Sequence, residues 1–244
     1  TTLPEWDFEA RKDIYPLLLN VPYFDLYRRQ VIKQADLEFA LYTFGNYFSD
    51  EDKARNVDYY EPRTVRDSSL SASVQAVVCA EVGHLELAHD YAYEAALIDL
   101  HDIHNNTRDG LHIASLAGAW IALVAGFGGL RDTGGTLSFD PHLPHDISRL
   151  TFNLRWHGSR LKVAVGRDEA TYSLRDGTDG SITFRHGGAS DTDGEDITLP
   201  SGESVTRPIA ARPPLLPRPK QPPGREPAPR PGSARDDTSG SPTS

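Results

Sequence analysis

The residues most able to do chemistry lie in one run, Tyr59-Tyr60-Glu61-Pro62-Arg63-Thr64-Val65-Arg66-Asp67-Ser68-Ser69-Leu70-Ser71. An aromatic pair and a carboxylate lead into an Arg-Asp-Ser-Ser cluster, which opens an apolar segment of helical character, Leu70 to Val82. A helix start carries unpaired backbone N–H groups and the positive end of the macrodipole, so it attracts anions. Arg66 with the hydroxyls of Ser68 and Ser69 would make that start an oxyanion or phosphate cradle. The same residues also read as an ordinary helix start, with Ser68 or Ser69 as N-cap and Arg66 in a surface ion pair.

Other candidate groups are weaker. His101 and His104 stand at i, i+3 near a helix end, where the dipole also favours histidines, and no metal is expected. Trp6 and Trp120 could stack on sugar rings, although Trp120, within an apolar helix, reads as core. Cys79, the single cysteine, sits in an apolar run and reads as a small core residue.

The elements that must position these groups are first helical, then extended. Asp25 to Ala40 is partly 3.6-periodic, and Asp50 to Tyr60 has a helix N-terminal signature from Ser49 onward and a stop at Pro62. Helices are predicted at Ser69–Val82, Leu85–Leu100 and Leu111–Phe127, the last apolar on nearly every side and therefore deeply buried. After Gly128-Gly129 the period changes. Six alternating segments, 136–139, 148–156, 161–165, 171–174, 181–184 and 197–199, predict an antiparallel β-domain. From about Pro208 proline, serine and arginine dominate, which predicts a disordered tail that is dispensable for folding.

The 244 residues carry a net charge of −10, which argues against nonspecific nucleic-acid binding. No apolar run is long enough to span a bilayer, and one cysteine suits a reducing compartment, so a cytoplasmic, membrane-free protein is expected. The sequence contains no methionine, which points to a processed chain, a partial gene or a fragment.

Val31-Ile32-Lys33-Gln34-Ala35-Asp36, followed by Tyr-Tyr-Glu-Pro-x-Thr-Val-x-Asp-Ser-Ser-Leu-Ser, resembles family-65 glycoside hydrolases. Those are inverting α-glucoside phosphorylases of the maltose, trehalose and kojibiose type, with some related hydrolases. The likeness continues through Gly83-His84-Leu85, Asn106 to His112 and Gly118-Ala119-Trp120. It implies an α+β multidomain chain: the C-terminal half of an (α/α)6 barrel over 1–130, an antiparallel β-sandwich over 131–206, and the tail over 207–244.

The resemblance implies that Lys33 and Gln34 bind glucosyl hydroxyls and that Arg66, Ser68 and Ser69 bind phosphate. A lysine and an amide on a solvated helix face is the other reading of the first pair. The family usually has His-Asp-Ser-Ser where this chain has Arg66-Asp67-Ser68-Ser69. Arginine still holds phosphate but cannot adjust its protonation, and Asp67 could instead orient it by an ion pair. The general-acid glutamate is expected upstream of this chain, so no catalytic residue is assigned; Glu5, Glu9 and Glu38 are available for misassignment. Glu61 could activate water in a hydrolase, though it reads better as structural.

The expected function is the C-terminal portion of an inverting α-glucoside phosphorylase, a glycosidase- or glycosyltransferase-type enzyme. It would use inorganic phosphate as co-substrate, no cofactor and an α-linked glucose disaccharide, and would form a possible homodimer when complete. A trehalase- or kojibiose-hydrolase-like enzyme, an inactive carbohydrate-binding fragment and a nonfunctional truncated product are the rivals.

Overall fold

The computed structural model describes residues 2–177, 179–188 and 194–231. Among them, seven helices occupy the first half: α1 Leu17–Asn20, α2 Tyr23–Leu26, α3 Asp36–Thr43, α4 Asp50–Tyr60, α5 Ser71–Glu81, α6 Leu85–Leu97 and α7 Ile113–Ile121. α4 forms over its predicted span. The Ser49 hydroxyl accepts from Asp52 N (3.1 Å), and three acidic residues occupy the positive first turn.

The helix predicted from Asp25 to Ala40 does not form as one element. The stretch between α2 and α3 is extended because its backbone pairs elsewhere: Gln30 N donates to Pro4 O (2.8 Å) and Ile32 N to Arg63 O (2.9 Å). Tertiary pairing overrides local periodicity there.

α5 is the centre of the helical part, buried from Ala76 through Ala80 and packed against α3, α6 and α7. Its small side chains let neighbours approach closely. At Gly118 of α7, a Cβ would collide with the Ser73 side chain. The chain leaves α5 through Gly83 at φ +88°, a left-handed position that lets His84 N reach back to Cys79 O (2.8 Å).

The deep burial predicted for Leu111–Phe127 holds only at its end. Ile113 is 67% and Trp120 53% exposed, because α7 presents one face to α5 and α6 and no described element covers the other. The segment then passes through a wide turn, Ala122–Phe127, that is almost wholly buried.

The second half holds β1 Arg131–Thr133, β2 Thr136–Phe139, β3 Leu150–Trp156, β4 Ser159–Val165, β5 Glu169–Asp176, β6 Ser181–His186, β7 Glu195–Pro200 and β8 Ser204–Pro208. They form two four-stranded sheets, β1-β2-β6-β7 and β3-β4-β5-β8. Phe139 and Phe184 of one sheet meet Tyr172 of the other, at 5.2 and 4.7 Å between ring centroids, within one apolar core. Alternation located six strands and missed the short β1 and the mostly exposed β8. The prediction of a wholly antiparallel domain is corrected by β2 and β6, which pair in parallel.

The helices join the sheets through charge. Glu81 is buried between Lys53 (2.7 Å) and Arg131 (3.2 Å), and these two cations hold its carboxyl below the usual range despite burial. These groups line a polar cavity of about 500 Å³ at the junction.

The prediction of a disordered tail from 207 fails for its first part. Residues 207 and 208 end β8, and 209–231 continue as an irregular strap laid along the body. His142 Nε2 bonds Ala210 O (2.9 Å), Arg212 pairs with Asp140, and Arg230 pairs with Glu86, Asp90 and Asp146. Composition signalled little apolar burial but did not reveal that the body supplies carboxylate partners for the strap's arginines. Residues 232–244 of the predicted tail lie outside the described residues. Ending the chain at Pro208 is expected to lower the melting temperature by roughly 4–8 °C, corresponding to about 2 kcal/mol. An unchanged melting temperature in a calorimetric scan would show that the strap adds no stability.

Candidate functional site

Two runs that are distant in sequence lie side by side. Ile32 forms a parallel bridge with Thr64: Val65 N donates to Ile32 O (2.8 Å), and Asp67 N donates to Lys33 O (3.2 Å). Lys33-Gln34 therefore abuts Arg66-Asp67 through the backbone alone. Lys33 is exposed at a bend before α3 rather than on a helix face. Gln34 donates to Asp36 Oδ1 (2.7 Å) at the edge of a mainly apolar cavity of about 360 Å³, lined also by Phe39, Leu70 and Ser73. Apolar walls with a few fixed polar groups suit a small ligand.

Arg66 is neither in a surface ion pair nor free. Its backbone is left-handed (φ 58°), an uncommon conformation for a side chain of this size, and its guanidinium is buried. Nη2 pairs with Glu94 of α6, Nη1 donates to the strap carbonyl of Arg225 (2.7 Å), and the group lies 4.8 Å over the Tyr91 ring. Only Nε lacks a hydrogen-bond partner. Burial opposes its charge, but the Glu94 carboxylate holds its pKa above the ordinary arginine value.

Asp67 does not orient Arg66 by an ion pair. Its Oδ2 accepts from Leu18 N (3.0 Å), its Oδ1 is buried without a partner, and burial raises its carboxyl pKa. Ser68 and Ser69 are half-buried, and the Ser68 hydroxyl accepts from Leu70 N (3.3 Å). α5 starts at Ser71, two residues after the predicted start, and the buried Ser71 Oγ has no hydrogen-bond partner. Ser71 closes the motif run, but no sequence feature assigns it a role of its own.

Glu61 is sealed in a network. It accepts from Tyr91 OH (2.6 Å), Gln75 Nε2 (2.9 Å) and the strap's Gln221 Nε2 (3.1 Å). Burial pushes its carboxyl up, and these bonds work against the rise. A carboxylate buried in the core and held by three side chains has a structural role here. Cys79 packs behind it, its thiol pushed well up by burial and by the carboxylates of Glu61 and Glu38.

Glu38, set aside in the sequence, is wholly buried on α3 with both oxygens unpartnered, and burial raises its pKa to about 7, with Glu61 adding to the shift. No pattern in the sequence separates it from the exposed acids around it.

The remaining candidates are not brought to the site as ligands. Trp6 is buried under Arg11 (4.7 Å), and Trp120 is an outer residue rather than core. His104 stands edge-on to Tyr15 and His112, and burial lowers its pKa. Among the described residues, Glu86, His89 and Asp146 could together hold a cation, but the Arg230 guanidinium is paired with both carboxylates.

The Glu38 carboxyl rises from an ordinary 4.5 to about 7 on folding, so the folded chain holds that proton more tightly than the unfolded chain. Its stabilising contribution is full below the lower value and is lost as pH rises through the upper one. Glu38→Gln is expected to flatten the stability–pH slope between the two and to raise stability at pH 8 by up to about 3 kcal/mol. Urea unfolding at pH 5 and pH 8 reads this, and a variant that keeps the parent slope would place the proton elsewhere.

The family model for the glycosyl hydrolase family 65 central catalytic domain matches residues 1–121, and that for the family's C-terminal domain matches 130–192. An uncharacterized glycosyl hydrolase of Mycobacterium leprae is 63% identical over 230 residues, 94% of this chain and 28% of that protein. An α,α-trehalose phosphorylase of Thermoanaerobacter brockii is 37% identical over 169 residues, 69% of this chain and 22% of that protein. The solved structure of a candidate kojibiose phosphorylase from human microbiome superimposes with a TM-score of 0.73 at 27% identity, covering 84% of this chain and 29% of the other. The chain thus spans between 22% and 29% of the length of these relatives.

Proposed function

Because the chain belongs to glycosyl hydrolase family 65, with both its central catalytic and C-terminal domains matched, we propose that it supplies the sugar- and phosphate-binding side of an inverting α-glucoside phosphorylase. Lys33 and Gln34 hold hydroxyls of the glucosyl unit. Ser68, Ser69 and the start of α5 hold phosphate, and Arg66 supports its charge from behind. A phosphate oxygen attacks the anomeric carbon opposite the leaving sugar. The glycosidic C–O bond breaks, and its oxygen takes a proton from an acid supplied by the remainder of a longer protein. The products are β-glucose-1-phosphate and the released sugar.

The observation that carries this reading is the Ile32–Thr64 bridge, which brings Lys33 and Gln34 beside Asp67 in the loop that leads into α5. Hydrolysis is the second reading, favoured by the engagement of two Arg66 donor nitrogens with Glu94 and the strap. The hydrogen bonds to Glu61 weigh against it, since Tyr91 and Gln75 hold that carboxylate independently of the strap.

In the full-length protein, Ser69→Ala is expected to raise the KM for phosphate about tenfold, one hydrogen bond to a charged group. Lys33→Ala is expected to act on the sugar KM instead. Assay of α-linked glucose disaccharides with and without phosphate decides between the readings. Phosphate-dependent β-glucose-1-phosphate is the expected product, and free glucose in phosphate-rich buffer would end the phosphorylase reading.

A further inference from the structure

The strap crosses the candidate site and takes up its polar groups. Arg66 Nη1 donates to the Arg225 carbonyl (2.7 Å), Glu94 Oε2 accepts from Ala228 N (2.7 Å), and Glu61 accepts from Gln221 (3.1 Å). A carbonyl, an N–H and a carboxamide are neutral groups of the kind a polyhydroxylated ligand offers. The carbonyl on Arg66 also takes the place an oxyanion oxygen would take. We propose that residues 219–230 are an intramolecular occupant of this site, and that the segment must lift before phosphate binds. The proposal rests on reading the Arg66–Ser69 segment as the phosphate side.

The part of the strap over the site docks mainly through prolines and arginines, while Ile209 and Leu216 pack on the cores before it. Pro219, Pro222, Arg225, Pro227 and Arg230 are buried while the residues between them are more open, and the segment turns at its middle, where Arg225 N donates to Pro222 O (2.8 Å) and Gly224 is left-handed (φ +76°). Its prolines fix φ and withhold N–H donors, which denies it competing helical or sheet structure.

The segment is clamped at its ends. Arg218 pairs with Asp90 (3.3 Å) before it, and Arg230 pairs with Glu86, Asp90 and Asp146 at its close. In the middle the Arg225 guanidinium lies 4.3 Å over the Tyr15 ring and donates to Ile14 O (2.5 Å). Glu86 and Asp146 are about half exposed, so salt and competing ions weaken the far clamp. Ion pairs at the ends and amide contacts in the middle hold the segment in place while leaving it releasable.

Three versions of the chain test this with inorganic phosphate as the probe: the whole chain, the whole chain with Arg230→Ala, and a chain ending at Arg218, each first checked for native circular dichroism. Calorimetric titration is expected to show phosphate binding about tenfold tighter in the shortened chain, with Arg230→Ala intermediate. Phosphate is also expected to speed tryptic cleavage of the whole chain after Arg225, whose side chain is buried while the strap is docked. Equal or weaker phosphate binding in the shortened chain, with binding still lost in Ser69→Ala, would overturn the occupant role and leave the phosphate site standing. No phosphate binding in any version would overturn both. If the shortened chain does not fold, Arg230→Ala decides alone: unchanged affinity and unchanged cleavage after Arg225 overturn the proposal.

Discussion

The buried ion pair between Arg66 and Glu94 is the interaction on which the candidate site depends. Both side chains are nearly inaccessible, at 7% and 6% exposed, so each charge is acceptable only because the other is there. Forming the pair requires the loop before α5 to turn through a left-handed residue and α6 to lie alongside with Glu94 facing inward. A residue held in that backbone region costs about 1–3 kcal/mol and persists where its surroundings leave no alternative. The same pair orders the strap, whose Arg225 carbonyl and Ala228 N–H complete the hydrogen bonding of the two charges.

This arrangement changes what an arginine means at the head of the Asp-Ser-Ser motif. A free guanidinium could grip a phosphate with two parallel hydrogen bonds. While the strap is docked, two of its nitrogens are committed to protein partners, so its contribution to an anion in this state is mainly a fixed positive charge at the base of the site. The direct donors are then the hydroxyls and the first-turn amides of α5. Ser71, buried with an unpartnered hydroxyl, stands at that same helix start.

Where local signals agreed with tertiary structure, the sequence was legible. α4 carries its own cap, acidic first turn and proline stop, and it forms over the predicted span. Most strands were found because one face is buried and alternation records it. Failures came where long-range contacts decide. Gln30 and Ile32 pair with Pro4 and Arg63 instead of coiling, which also moves Lys33 off a helix. Trp120 turned outward because apolarity alone does not say what covers a face. The strap looked disordered because charge complementarity with a distant surface leaves no periodic trace. Lys33, Gln34, Arg66, Ser68 and Ser69 were named by motif, and backbone pairing brings Lys33 beside Asp67, whereas the commitment of Arg66 to Glu94 and the burial of Glu38 had no signature in composition or spacing.

A double-mutant cycle on Arg66 and Glu94, read by urea unfolding, tests the account at its base. Each single alanine variant should lose about 3–5 kcal/mol, since it leaves one charge buried alone. The double variant should lose less than the two losses combined, by about 2 kcal/mol or more. Additive losses, with no coupling between the two sites, would contradict the account.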